Sequence, residues 1–155
     1  MKTTPKPSQI AILVGGLVVF IFSFLDFFKS SFGDQGFSGW SGDLLFPLTA
    51  FPALLALIVV GLTAAVLFAD VDLPDAVLSF NWRQISFILA FTIVLVLFGL
   101  LISAPTGFDI GIGLIISLLG GLALLAGTVM ELLGIEAGGR TGSGAQTPGG
   151  PTTPF

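Results

Sequence analysis

Apolar residues along this chain do not alternate with polar ones but gather in four blocks, 10–28, 44–69, 85–102 and 110–133, with no charge near the centre of any block. A hydrocarbon layer about 30 Å thick is crossed by roughly 20 such residues wound as a helix. Backbone amides and carbonyls in lipid must find partners within the spanning segment. Without the alternation of a barrel strand, only a helix supplies them. The pattern therefore predicts an all-α, polytopic membrane protein, a bundle of four transmembrane helices with spans of about 10–28, 44–69, 83–103 and 110–133. Ser8, Asp43, Asn81 (or Ser79) and Asp109 stand just ahead of the blocks and are the expected N-caps.

The second block is the irregular one, with Pro47 and Pro52 in its first third. A proline inside a helix removes a hydrogen bond and clashes with the preceding turn, so Pro52 is expected to bend this span. The stretch 44–51 then lies obliquely at the interface, and the span proper runs from Pro52 to Ala69. A single tilted helix is the alternative. Short connections follow: an outer loop at 28–43, an inner loop at 70–81 and an outer turn at 103–109, the last making the third and fourth helices an antiparallel hairpin.

Orientation follows the basic residues. With residues 1–8 cytoplasmic, Lys2, Lys6, Arg83 and Arg140 lie inside and Lys29 outside, which fits the positive-inside tendency. An even number of spans returns both termini to the cytoplasm of a multi-pass plasma-membrane protein. The first block lacks a small-x-small cleavage site and reads as an uncleaved span. The spans and their connections make a transmembrane domain over 9–136. From 137 to 155 the chain is mostly Gly, Thr and Pro with almost nothing to bury, and reads as a disordered cytoplasmic tail. Thr147-Pro148 and Thr153-Pro154 in that tail are candidate phosphorylation sites.

Composition narrows the chemistry. At 54% hydrophobic and 9% charged, the chain is far from the roughly one-quarter charged residues of a soluble domain. Nine acidic against five basic residues argue against nucleic-acid binding. The chain has no Cys, His or Tyr, which removes disulfides, thiol nucleophiles, the commonest general base and the commonest transition-metal ligand. No catalytic, cofactor-binding or metal-binding set is expected. The acidic loop 70–75 lacks the spacing, the turn glycine and the distal Glu of an EF-hand.

What remains are contact features. Gly113, Ser117 and Gly121 recur every fourth residue on the last helix, with Gly120, Ala123 and Gly127 beside them. Gly61, Ala65 and Ala69 do the same on the second, and Gly99 with Ser103 on the third. Such positions let helices approach where lipid gives no hydrophobic drive. They serve either the packing of one bundle or a homo-oligomer seam on the fourth helix. Nine of the 16 phenylalanines fall between positions 20 and 51, so the outer end is aromatic. In its loop, Phe32, Phe37 and Trp40 are expected to dip into the headgroup region, to cap the bundle or to dock an envelope partner. Glycines at 33, 36, 39 and 42 form too few triplets, without proline, for collagen. Among ionisable groups near the spans, Asp26 is expected to pair with Lys29 one helical turn on, and Glu131 with Arg83, bracing the inner end.

Gly15-Gly16, Phe22-Ser23-Phe24, the Gly-rich outer loop, Met130-Glu131 at the close of the last span and the Gly/Pro/Gln/Thr tail together resemble small four-span actinobacterial membrane proteins, such as the mycobacterial 34 kDa antigenic-protein type. The resemblance covers the layout of residues 8–140 and implies a loose tie to the cell envelope. It transfers no functional residue, and the tail here is shorter and lacks Tyr. The function expected is non-enzymatic: an accessory or scaffold subunit of a membrane or envelope complex. Its expected partners are the lipid bilayer and either a membrane protein or a second copy. The alternative is a small oligomeric channel or transporter, for which Ser23, Thr49, Thr63, Ser86, Thr92, Ser117 and Thr128 are a sparse polar lining.

Overall fold

The apolar blocks fold as helices, and the breaks between them decide how the helices are placed. The computed structural model describes residues 5–33, 35–41, 46–68, 81–104 and 106–134. The caps expected at Asp43 and Ser79, the acidic loop at 70–75, Ala69 and the tail lie outside them. The helices are α1 (Pro7–Phe22), α2 (Phe51–Phe68), α3 (Trp82–Ile102) and α4 (Ile112–Leu133), with short strands β1 (Asp26–Ser30), β2 (Gly36–Ser38) and β3 (Phe108–Ile110). Helices α2, α3 and α4, of 18, 21 and 22 residues, are long and apolar enough to cross a membrane. At 1.5 Å per residue they measure about 27 to 33 Å. Helix α1, with 16 residues, is apolar but shorter.

The helix starts correct three expectations. The cap of α1 is Lys6, whose main-chain N–H donates to the Gln9 side chain at 3.0 Å; Pro7 takes the first helical position and Ser8 lies inside the first turn. Asn81 does cap α3, its N–H donating to Gln84 Oε1 at 3.2 Å. Asp109 caps nothing, because it is drawn into β3, and Gly111 precedes α4 instead. Pro52 does not bend a helix. It is the second residue of α2, where a missing N–H costs no helical hydrogen bond. The turn 46–50 leads into it, with Phe51 N–H donating to the Pro47 carbonyl at 3.0 Å.

The largest departure from an all-α fold is a three-stranded antiparallel sheet, ordered β2-β1-β3. The first apolar block is not helical to residue 28. Helix α1 stops at Phe22, and Phe24 and Leu25 donate to the carbonyls of Ile21 and Phe22 in tight turns before β1 begins. Asp26 and Lys29 therefore stand in a strand rather than one helical turn apart, and among the described residues no ion pair joins them. Lys29 is instead registered directly opposite Asp109 of β3. The loop expected at 28–43 is thus partly a hairpin, closed by Ser30 N–H donating to the Gln35 carbonyl at 3.0 Å. A register shift between Asp26 and Phe28 marks a bulge in β1. It lets consecutive residues, Phe27 and Phe28, both be buried, which plain alternation would forbid.

Helix α1 packs between α4 and α2, and α3 packs between α2 and α4, so the four helices close a ring. The sheet joins the ends of α1 and α3 to the start of α4, giving neighbouring helices an up-and-down course. Along the α1–α4 seam, the backbone around Leu25 and Asp26 lies against Gly113, Gly15 against Gly120, and Ser8 with Ile12 against Gly127. The two helices therefore run antiparallel in close register, with a contact glycine every seventh residue of α4. Ile12, Ala56, Ala90, Ile93, Leu97, Leu114 and Leu124 fill the centre with no exposed surface. Outward positions are as apolar as the core: Val14, Leu95 and Leu119 are 55 to 61% exposed. Such surfaces on every side suit a lipid surround.

Candidate functional site

Chemistry-bearing side chains collect at the two ends of the bundle. At the sheet end, the hydroxyl of Ser23 closes α1 by donating to the Phe20 carbonyl at 2.6 Å, and it accepts from Trp40 Nε1 at 2.8 Å. The Ser23 carbonyl accepts from Gly39 N–H at 3.0 Å. The Trp40 ring stacks on Phe24, with centroids 5.4 Å apart and planes 14° from parallel. Trp40 thus caps α1 rather than standing free. Phe37 is half-buried and meets Phe108 edge to face at 5.5 Å, tying β2 across to β3. Phe32, at the hairpin tip, is 93% exposed. Of the three aromatic loop residues, two are spent on the fold and one is presented outward.

Trp40→Phe keeps the stacked ring and removes the indole donor from a part-buried hydrogen bond. The expected loss is about 1 kcal/mol, read as a lowered unfolding midpoint of the purified protein.

The small-residue stripes divide in the same way. Gly113, Ser117 and Gly121 are all buried. A Cβ on Gly113 would lie 2.9 Å from the carbonyl oxygens of Leu25 and Asp26. Gly121 faces Ile93, Val94 and Leu97 of α3 with room for a Cβ, at 3.4 to 3.5 Å. The Ser117 hydroxyl is buried without a hydrogen-bond partner. On α2 the pattern differs: Gly61 is exposed and an added Cβ would meet nothing within 4 Å, while Ala65 is half-buried. Gly99 on α3 is likewise exposed with nothing near it.

At the opposite end, α1 and α3 begin where α2 and α4 finish, around an open cleft of about 390 Å³. Lys6, Arg83 and Glu131 bring their charges to it, with Ser8, Gln9 and Trp82 beside them. Arg83 and Glu131 do meet, but the contact is Arg83 Nη1 donating to the main-chain carbonyl of Glu131, at 3.4 Å. Sequence reasoning placed this contact on the Glu131 side chain and overlooked Ser8, Gln9 and Lys6 as its neighbours. The available signal was the shared end of α1 and α3: both carry a Gln at the third helical position, and the bundle brings the two helix starts together. Asp26 lies in the sheet, at the far end from Glu131, so the two carboxylates form no dyad. Among the described residues no group of three Asp or Glu is placed to hold a metal ion. Comparison of the chain with protein-family models, with curated proteins and with solved structures finds no match to any of them.

Proposed function

We propose that this chain is a multi-pass plasma-membrane protein with four spans and both termini cytoplasmic. In this reading it acts as a non-enzymatic accessory or scaffold subunit through helix and loop contacts. The observation that carries the reading is the outward placement of Gly61 and Gly99 on apolar helix surfaces, where an added Cβ would meet no described residue within 4 Å. Close helix approach in lipid depends on such residues, and those on α4 are already used within the bundle. The exposed Phe32 adds a contact point at the sheet end. Lys6 and Arg83 share one end and Lys29 the other, which supports the orientation. The resemblance to four-span actinobacterial envelope proteins fits the same role.

A second copy and a different membrane protein are both admissible partners, and mild-detergent pull-down with mass spectrometry separates them. Reproducible recovery of one partner, lost on Gly61→Leu, is the expected result. A solitary monomer in every preparation would sink the proposal. The channel or transporter reading is weakened by its own lining: Thr63, Thr92 and Thr128 donate their hydroxyls to carbonyls of their own helices at 2.8 Å, and α2 is unbroken at Pro52.

A further inference from the structure

We propose that the Phe24–Trp40 stack is a lipid-contact surface, which carries the first span through the bilayer interface at the sheet end, where α1 alone is too short. The proposal deepens the multi-pass reading and rests on it. Helix α1 has 16 residues, about 24 Å at 1.5 Å each, against a hydrocarbon layer of about 30 Å. The shortfall lies at the sheet end. There α1 stops at Phe22, while Gly113 in the first turn of α4 lies against Leu25 and Asp26, further along the chain. Residues 23–25 fill the gap. Phe24 N–H donates to the Ile21 carbonyl and Leu25 N–H to the Phe22 carbonyl, the spacing of a 3₁₀ turn. At about 2 Å per residue these residues add roughly 6 Å. Residues 7–25 carry no charge, and Asp26 is the first charged residue after Lys6.

The side chains continue the outward surface of α1 past its end. Ile10, Val14, Leu17 and Ile21 form the exposed stripe of the helix, at alternating spacings of four and three residues. Phe24, 58% exposed, takes the next place in that series. Its ring meets Phe20 edge to face, with centroids 5.5 Å apart, and stacks on Trp40. Trp40 is half-buried, so the ladder of three rings ends in a residue type that favours headgroup depth. The polar groups that would resist lipid are already satisfied. Ser23, Phe24 and Leu25 each have their N–H bonded, the Ser23 carbonyl accepts from Gly39, and Trp40 Nε1 donates to the Ser23 hydroxyl. Irregular backbone is tolerated at membrane depth only where its groups find partners in the protein. An indole whose N–H is bonded can lay its apolar body in the lipid. A surface continuous with the apolar stripe, with these donors bonded, fits the boundary between acyl chains and headgroups.

The test uses the full chain with Trp82→Phe, which leaves Trp40 as its one tryptophan, reconstituted in phosphatidylcholine vesicles. The quenchers are lipids brominated near the headgroup, lipids brominated near the chain ends, and acrylamide in the water. Trp40 emission is expected to be quenched most by the shallow bromines. Strongest quenching by acrylamide would place the stack in water and overturn the proposal. Strongest quenching by the deep bromines would put it inside the hydrocarbon and overturn it equally. A second chain, with Trp40→Phe, Trp82→Phe and Leu122→Trp, separates this failure from that of the multi-pass reading. Leu122 lies at the middle of α4 and is 46% exposed, so deep bromines should quench the tryptophan placed there. If they do while Trp40 answers to acrylamide, only the proposal for the stack falls. If they do not, the multi-pass reading falls and takes the proposal with it. Should Trp82→Phe fail to fold, Leu25→Cys decides, since Leu25 is 40% exposed and the chain has no other cysteine to label. Faster relaxation of an attached nitroxide by oxygen than by a water-soluble nickel chelate supports the proposal, and the reverse refutes it.

Discussion

Gly15→Leu is expected to abolish the folded bundle. A single Cβ on Gly15 would lie 2.5 Å from the main-chain nitrogen of Leu124 and 2.7 Å from the carbonyl oxygen of Gly120. Neither atom is the end of a flexible side chain, so relief requires moving α1 away from α4. That movement would also open the contacts at Gly127 and Gly113, because the seam shares one register along its length. Overpacking a core by a methylene ordinarily costs about 1–3 kcal/mol. Gly15→Ala should fall at or above the top of that range because backbone is what it strikes. A leucine adds three more carbons in the same place, and total stabilities are only about 5–15 kcal/mol. The measurement is the fraction of monodisperse, folded protein recovered in mild detergent, with the unfolding midpoint of Gly15→Ala beside it. Gly61→Ala is the control. Its added Cβ meets nothing within 4 Å, so stability should hold or rise by up to about 1 kcal/mol through helix propensity. Equal damage from Gly15→Ala and Gly61→Ala would show that the α1–α4 seam is not where the bundle is held.

Phe28→Ala is expected to cost about 3–5 kcal/mol, the usual range for emptying a phenylalanine site. Phe28 is 1% exposed, and its strand position is registered between Phe37 and Ile110 at the centre of the sheet. The cost is not confined to the cavity. Strand β1 also holds the start of α4: the Phe27 carbonyl accepts from Gly111 N–H at 2.7 Å, and the backbone at Leu25 and Asp26 presses on Gly113. Loosening β1 therefore frays the α4 end as well. Hydrogen exchange should show faster exchange at both β3 and the first turn of α4. Phe32→Ala, in the same hairpin but 93% exposed, should leave stability within about 0.5 kcal/mol. It would instead reduce partner recovery if the hairpin tip is a contact point. A Phe28→Ala protein as stable as the wild type would mean that the sheet is an ornament on the bundle.

The boundary errors share one cause. Four of the six residues 23–28 are Phe or Leu, so hydropathy alone extends the first span through Phe28. Termination at Phe22 is decided by the Ser23 hydroxyl closing the helix and by Trp40 holding that hydroxyl from 17 residues away. A hairpin was locally readable: Phe27-Phe28 and Phe37 flank a polar stretch containing Gly33. Its third strand, Phe108–Ile110, is three residues long, below what periodicity can resolve. Asp109 looked like a cap because a short acidic side chain before an apolar run usually is one. Pairing with β1 placed it opposite Lys29 instead. Pro52 looked like a kink because 44–69 is continuous in hydropathy. The turn at 46–50 converts it into a helix start.

The charged end divides similarly. Arg83 and Glu131 were legible as neighbours because both sit at the same end of adjacent antiparallel helices. That the carbonyl of Glu131 takes the guanidinium, and that Ser8 lines the cleft beside them, depends on how far α1 slides along α4. That slide is set by Gly15, Gly120 and Gly127.

By itself the sequence determined that this chain makes long apolar helices, where those helices roughly lie, and which chemistries it lacks. These are local properties: hydropathy over about 20 residues is unmistakable, and a missing residue type cannot be restored by folding. Only the tertiary structure decided which small residues are spent inside the bundle and which face out, that a sheet closes one end, and that a cleft lined by charged side chains opens at the other. Those outcomes depend on contacts between residues far apart in the chain, where the approach of two backbones is limited by single Cβ atoms rather than by average hydrophobicity.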